Sequence, residues 1–207
     1  KRMYSKYGDW AQLGNNAIVP IYNANLVSAA EVPKSWEDLL DPRWKGKMGM
    51  TTDMKIWYTL ALGEGGWGIE KTEDYLRKLR QQNIIWMPGQ SGGHSLLIAG
   101  EYHLVAWNYL RYVWARQSGA PVDWARVSPV SITGPVYILP RKAPHPNAIR
   151  LFIEWLYSPP GLLAFEKITG YGAASPGSGT YLAKVLEGLP LVFRTRKCYS
   201  KRIDCAL

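Results

Sequence analysis

Cysteine, histidine and phenylalanine are scarce in this chain of 207 residues, which contains 2 Cys, 3 His and 3 Phe. Two cysteines, Cys198 and Cys205, cannot provide the several bridges that hold small secreted domains together. They either pair in an oxidising compartment or remain free thiols, and the sequence leaves both alternatives open. A chain of this length can bury enough surface to fold without bridges.

Long apolar runs are also missing. No segment approaches the roughly 20 apolar residues that a membrane-spanning helix needs. The chain begins at Lys1 without the basic, apolar and small residues typical of a signal peptide. We therefore expect either that such a peptide was removed or that the chain is a fragment of a longer protein.

Catalytic and metal-binding motifs are absent from the sequence. The three histidines, His94, His103 and His145, do not have the spacing of a metal site, and no zinc-protease, nucleophile-elbow or phosphate-loop motif occurs. The glycine-rich segment 63–68 follows a predicted helix rather than a strand, so we interpret it as a turn. The sequence thus predicts neither an enzyme nor a bound cofactor.

Positive charge is in excess, at a formal +9, but much of the excess lies at one end. Residues 194–207 contain five basic residues against one aspartate. No basic helix or aromatic RNA-binding motif occurs elsewhere, so we do not expect nucleic acid as a partner. Tryptophan and tyrosine are abundant, at 10 and 13 residues. Aromatic side chains with a polar group are common in clefts and interfaces that are exposed to water on one side.

Three consecutive units of strand, turn and helix follow from the hydrophobic pattern. Short apolar runs at 48–50, 84–87 and 104–107 are each followed by polar turn residues and then by a helical pattern. Such repetition predicts an α/β fold with a mostly parallel sheet and helices on both faces. Sheets of this kind bind ligands at the carboxyl ends of their strands, where helix N-termini converge. The candidate ligand-binding residues at those ends are Thr51, Thr52, Asp53, Gln90, Ser91, Asn108 and Tyr109.

Tyr109 admits two interpretations. A phenol at the end of a strand can stack on a solute, donate a hydrogen bond to an anion, or bind a hard metal ion as phenolate. An aromatic ring at a helix start equally often packs against the core.

An ordered set of short motifs resembles a known family. Residues 22–27 and 33–47 are followed, in the family's order, by motifs at 99–102, 119–122, 143–148 and 156–159. Across roughly residues 14–165 the chain resembles the extracellular solute-binding proteins of ABC importers. Within them it is most similar to the branch that includes ferric-iron-binding proteins.

The resemblance implies a type II periplasmic-binding fold, in which two α/β lobes joined by crossing strands bind a small solute in the cleft between them. It also implies a periplasmic or extracellular location and association with the membrane through permease subunits. Residues 25–130 would form a complete second lobe. Residues 1–24 and 131–207 would form crossing strands, an incomplete first lobe and a tail. A ligand-sensing regulatory domain of the same fold, without a transport role, is the alternative.

The resemblance leaves two kinds of solute open. Iron-binding relatives place two adjacent tyrosines at the position where this chain has Asn108 and Tyr109, so only Tyr109 remains as a candidate metal ligand. Neutral donors at the helix N-termini suit an anionic solute as well as they suit ferric iron.

An incomplete lobe has a physical consequence. The predicted strand at 136–139 would lack neighbours, and the apolar face of the predicted helix at 147–157 would lack a surface to cover. We therefore expect the chain to form a homodimer or to exchange segments between copies.

Overall fold

A computed structural model describes residues 10–12, 14–52, 55–87, 90–140 and 142–193. The strands are β1 (Trp10–Gln12), β2 (Asn16–Asn23), β3 (Met48–Thr51), β4 (Ile85–Met87), β5 (Leu104–Asn108), β6 (Val122–Trp124), β7 (Val130–Thr133), β8 (Val136–Ile138) and β9 (Leu191–Phe193). The helices are α1 (Lys55–Leu62), α2 (Ile69–Arg80), α3 (Gln90–Ala99), α4 (Tyr109–Gln117), α5 (Pro146–Leu156), α6 (Pro159–Thr169) and α7 (Tyr181–Val185). None of the helices among these residues is long and apolar enough to cross a bilayer.

Backbone contacts divide the chain into two compact units. The smaller unit comprises Lys1–Asn16 and Gly134–Gly188, and the larger unit comprises Ala17–Thr133 and Leu189–Leu207. These boundaries differ from the predicted division at 24/25 and 130/131. β2 belongs to the larger unit because it pairs with β5 and β6, and β9 joins the same unit because it pairs with β7. Three residues of strand, Leu191–Phe193, are too short a pattern to recognise in advance.

The larger unit is built on a sheet of order β4-β3-β5-β2-β7-β9, with β6 beside β2. The predicted α/β class is confirmed, and the three predicted strand–helix units supply β3, β4 and β5, which run parallel to one another. The sheet as a whole is mixed, because β2 runs antiparallel to β5 and to β6. β2 leads into a long connection rather than directly into a helix. It is therefore not part of a strand–helix–strand crossover, which would have required it to run parallel to the next strand.

Trp36 anchors the long connection between β2 and β3 to the core of the larger unit. Its side chain is fully buried, and its indole Nε1 donates a hydrogen bond to the carbonyl of Pro129 at 3.0 Å. The ring packs edge-on against Trp57 of α1, with centroids 5.8 Å apart. The hydroxyl of Tyr75 on α2 donates to the carbonyl of Trp36 at 2.8 Å, and burial raises the pKa of that phenol.

The segment after Trp36 forms two short 3₁₀ turns, Glu37–Leu40 and Pro42–Trp44. Asp41 precedes a proline and adopts an extended conformation, which ends the first turn after four residues. The hydroxyl of Ser35 accepts the N–H of Asp38 at 3.2 Å, although the residue that caps the first turn is Trp36. The Asp38 carboxylate in return accepts the N–H groups of Lys34 at 2.7 Å and Ser35 at 3.1 Å.

The smaller unit contains an antiparallel ribbon of β1 and β8. Tyr137 of β8 packs edge-on against Phe165 of α6, with centroids 6.2 Å apart. Farther along, the carboxylate of Glu166 accepts the N–H groups of Tyr181 at 2.7 Å and Leu182 at 3.0 Å, which satisfies the first turn of α7. The predicted strand at 136–139 and the predicted helix at 147–157 are thus β8 and α5.

Replacing Trp36 is expected to destabilise the protein strongly. Trp36→Ala leaves a cavity and should lower the free energy of unfolding by about 3–5 kcal/mol. Trp36→Phe should cost about 2 kcal/mol, because the carbonyl of Pro129 loses its donor. Urea unfolding monitored by circular dichroism measures both. Trp86→Ala is the matched control: this tryptophan is 55% exposed, so the expected change is about 0.5 kcal/mol or less. Equal losses at the two positions would contradict the anchoring role.

Removing the charge of Asp38 is expected to produce a pH-dependent loss of stability. The hydrogen bond from Lys34 N–H, with those from Ser35, lowers the pKa of Asp38 in the folded state. Its contribution is therefore present above the unfolded-state pKa and disappears as the pH falls through the folded-state value. Asp38→Asn should cost about 1 kcal/mol at neutral pH, as for other exposed capping groups, and little near pH 2.5. Denaturant titrations at the two pH values measure this. The same cost at both would show that the carboxylate charge is irrelevant.

Candidate functional site

Three helices of the larger unit begin at one edge of its sheet. β4, β3 and β5 are adjacent and parallel, so their carboxyl ends lie at the same edge. Thr51 at the end of β3 is in register with Met87 at the end of β4. α1, α3 and α4 start within a few residues of these strand ends. We call this edge, formed by residues 51–52, 90–94 and 108–111, the strand-end site.

The predicted residues on β3 and α3 lie at this site as far as the structure describes them. Thr51 is partly buried and ends β3, and Thr52 directly follows it and is exposed. Asp53 lies outside the described residues. Gln90 and Ser91 are the first two residues of α3, and their backbone N–H groups belong to the first turn, where no carbonyl of the helix can accept them.

α3 begins at Gln90, three residues after the end of β4 at Met87. The sequence Gly92-Gly93 is typical of a turn, but here it lies inside the first turns of the helix. A Cβ atom at Gly93 would overlap the sulfur of Met87, and one at Gly49 on β3 would lie 3.2 Å from the same sulfur. Glycine at position 93 therefore lets α3 pack closely on the sheet, since any side chain there would force Met87 to move.

Asn108 and Tyr109 are placed differently from one another. Asn108 ends β5 and caps α4, and its Oδ1 accepts the N–H of Leu110 at 3.2 Å. Tyr109 is buried, with its ring 5.2 Å from that of Tyr112 and 5.3 Å from that of Trp124, centroid to centroid. This packing favours the interpretation of Tyr109 as a core residue. A role for it in binding a solute or a metal ion stays a prediction.

Two further residues lie at the site, Arg111 and His94. Arg111, which the sequence pattern did not single out, is on the first turn of α4, with its guanidinium carbon 5.0 Å from the centroid of the Trp114 ring. The sequence places His94 at a predicted helix N-terminus, where a hydrogen bond to a ligand and no role at all are equally open. Burial, followed by the positive charge of Arg111, lowers the pKa of His94 and so favours its neutral form. The signal that could have found Arg111 is its position within one turn of a predicted strand end.

The electrostatics of the site favour negative charge. None of α1, α3 and α4 has an acidic residue in its first turn, where a carboxylate would offset the positive end of the helix dipole. Asp53, two residues before α1, lies outside the described residues. α2, by contrast, has Glu70 in its first turn. Within the described parts of the chain, no group of three or more His, Cys, Asp or Glu side chains is arranged to hold a metal ion.

A parallel sheet edge with converging helix N-termini and a nearby cation is typical of proteins that bind small solutes. Residues 2–187 match the family model described as bacterial extracellular solute-binding protein. The chain belongs to this family, as its short motifs suggested. The expected type II periplasmic-binding fold is likewise confirmed.

Several solved structures are similar to this chain. Iron-bound HitA from Pseudomonas aeruginosa is 21% identical with a TM-score of 0.64, over 79% of this chain and 56% of that one. Apo FutA2 from Synechocystis PCC6803 is 19% identical with a TM-score of 0.69, over 91% and 65%. AfuA from Actinobacillus pleuropneumoniae, with exogenous fructose-6-phosphate bound, is 20% identical with a TM-score of 0.61, over 76% and 52%. At these identities the likeness shows the fold, and the chain spans between 52% and 65% of the three proteins' lengths.

Alanine substitutions at the two adjacent glycines of α3 are expected to have opposite effects. Gly93→Ala places a methyl group against Met87 and should destabilise the protein by about 1–3 kcal/mol. Gly92→Ala meets open space and should stabilise it by up to about 1 kcal/mol, through helix propensity alone. Thermal and urea unfolding of the two variants test this. Stabilisation by both substitutions would mean that α3 is not held against Met87.

Proposed function

We propose that this chain is the solute-binding component of an ABC importer, or part of one, and that its strand-end site binds a small anionic solute. The observation that carries the proposal is the convergence of three helix N-termini whose first turns contain no acidic residue, beside Arg111. The family supports a location outside the cytoplasmic membrane and delivery of the solute to permease subunits.

The chemistry of binding follows from the groups at the edge. The first-turn N–H groups have no acceptor within their own helix and can donate to a solute, except that of Leu110, which Asn108 already caps. Each helix end attracts an anion by about 0.3–1 kcal/mol at an exposed position. Arg111 adds a fixed positive charge and a planar set of donors that matches a carboxylate or a phosphate group. Neutral His94 adds a donor or an acceptor without a second charge.

These groups bind a solute without transforming it. The strand-end site supplies donors and positive charge, and its only imidazole is held neutral beside a cation. Its described residues form no pair of nucleophile and base. Release of the unchanged solute is what a transport component requires, so we infer that the chain is not an enzyme.

Ferric iron is the competing solute. The iron-bound relative of the same fold and the predicted role of Tyr109 support it. The burial of Tyr109 against Tyr112 and Trp124 favours an anionic solute over ferric iron, because the phenol would have to leave this packing to bind a metal ion.

Titration calorimetry with phosphate, small carboxylates and sugar phosphates tests the proposal. We expect saturable binding of at least one of these anions, weakened by salt. Arg111→Gln should reduce its affinity by about 10-fold to 100-fold, as expected for loss of a charge-assisted hydrogen bond. Arg116→Gln, on the last turn of the same helix, is the matched control and should change the affinity less than twofold, a negligible free energy.

A parallel titration with ferric citrate separates the two solutes. Binding of iron that is lost in Tyr109→Phe, with no binding of free anions, would overturn the anionic assignment. Binding of an anion that is unaffected by Arg111→Gln would remove the strand-end site from the proposal.

A further inference from the structure

Arg111 carries the permanent positive charge of the strand-end site. It is the only lysine or arginine among residues 51–52, 90–94 and 108–111. Among the described residues, no carboxylate forms an ion pair with it and no protein acceptor takes a hydrogen bond from its guanidinium. Its charge and its five N–H donors are therefore available to a solute.

The contact that Arg111 does make is with an aromatic ring on its own helix. Its guanidinium carbon lies 5.0 Å from the centroid of Trp114, three residues farther along α4. Residues three apart share one side of a helix, and helical side chains lean toward the N-terminus. The Trp114 ring therefore covers the turn that contains Arg111, and it keeps the guanidinium near the start of the helix.

This contact restricts the arginine without using up its donors. A cation within about 6 Å of an indole centroid is attracted by the face of the ring, and this attraction needs no conventional acceptor. An arginine side chain has many rotamers, and it loses that freedom when it binds a solute. A guanidinium that is already held in one region loses less on binding, so the affinity is higher.

The held position of Arg111 is also close to the neighbouring helix. Burial, and after it the positive charge of Arg111, lowers the pKa of His94 on α3. With its guanidinium on the Trp114 ring, Arg111 thus acts on the first turns of α3 as well as belonging to the first turn of α4.

We propose that Trp114 is a positioning residue for solute binding, because it holds the Arg111 guanidinium at the strand-end site before a carboxylate or phosphate group arrives. This inference rests on the proposed binding of an anion there, and it names a residue that sets the strength of that binding. Trp114 acts through Arg111 and makes no contact with the solute in this scheme.

A second cation–aromatic contact shows why the pair at α4 is distinctive. Lys71 lies 4.8 Å from the centroid of Trp67, but its ammonium group also pairs with Glu37 at 2.8 Å. That charge already has a partner. Trp114 is 43% exposed, so packing in the core does not account for its position, and the cation beside it has no carboxylate among the described residues.

Titration calorimetry with inorganic phosphate, succinate and fructose-6-phosphate tests the proposal. For whichever anion saturates the wild-type chain, Trp114→Leu and Trp114→Gln should each weaken binding by about threefold to tenfold, since both remove the ring. Trp114→Phe keeps a ring face and should restore most of the affinity. Trp155→Leu is the matched control: this helical tryptophan is 47% exposed and stacks on Phe152 rather than on a cation, so the affinity should change less than about twofold.

A double-mutant cycle separates positioning from any independent effect of Trp114. If the ring acts through Arg111, the variant with both Arg111→Gln and Trp114→Leu should bind as weakly as Arg111→Gln alone, within about twofold. The NMR signal of the Arg111 Nε–H group, assigned by its loss in Arg111→Gln, should shift in Trp114→Leu because the ring current is gone. Circular dichroism melts verify that each variant is folded.

The outcomes distinguish this inference from the proposed function. Unchanged or tighter binding by Trp114→Leu, with Arg111→Gln still weakened, would overturn the positioning role and leave the anionic site in place. Additive losses in the double variant would overturn it as well, because Trp114 would then act independently of Arg111. If none of the three anions binds, or if Arg111→Gln binds like the wild-type chain, the proposed function fails and this inference fails with it.

Discussion

The packing of Met87 against Gly49 and Gly93 is the contact on which the strand-end site depends. The sulfur of Met87 occupies space that a Cβ atom at either glycine would need, so α3 lies close to β3 and β4. This approach brings the first turn of α3 beside the ends of those strands. Because β3 also pairs in parallel with β5, the starts of α1 and α4 lie at the same edge. The position of the helix dipoles therefore follows from sheet pairing and from two residues without side chains.

The strand–helix repetition was predictable because each apolar run is short, bounded by turn residues and followed by a helical pattern. The start of α3 was not predictable from the sequence. Gly92 and Gly93 are typical of a turn, and the reason for a glycine inside this helix is the contact of Gly93 with Met87, which only the structure shows. Short strands such as β9 were not predictable either, because three residues are too few to show an alternation of apolar and polar side chains. The predicted strand ends located the edge of the sheet that forms the site, but Arg111 could be assigned to that edge only from the position of the first turn of α4.

Tyr109 illustrates how local sequence and tertiary packing diverge. Its position directly after β5 suggests a side chain at the mouth of the site, yet the ring lies between Tyr112 and Trp124. Arg111, two positions along the helix, is instead close enough to His94 of α3 for its charge to lower the pKa of that imidazole. Successive residues of a helix point about 100° apart, so a shift of two positions moves a side chain to the other side of the helix. The predicted end of a strand therefore identifies the edge of the sheet at which a site lies, but it does not identify which side chain contributes to that site.

The two units bury their apolar surface by different means. The larger unit buries Trp36, Trp57 and Tyr75 in one core cluster. Among the described strands of the smaller unit only β1 and β8 pair, and a two-stranded ribbon is marginal unless helices or further strands cover it. α6 supplies part of that cover through Phe165, while Leu151, Phe152 and Trp155 of α5 stay exposed. The smaller unit therefore relies more on its helices than on its sheet to bury its apolar side chains.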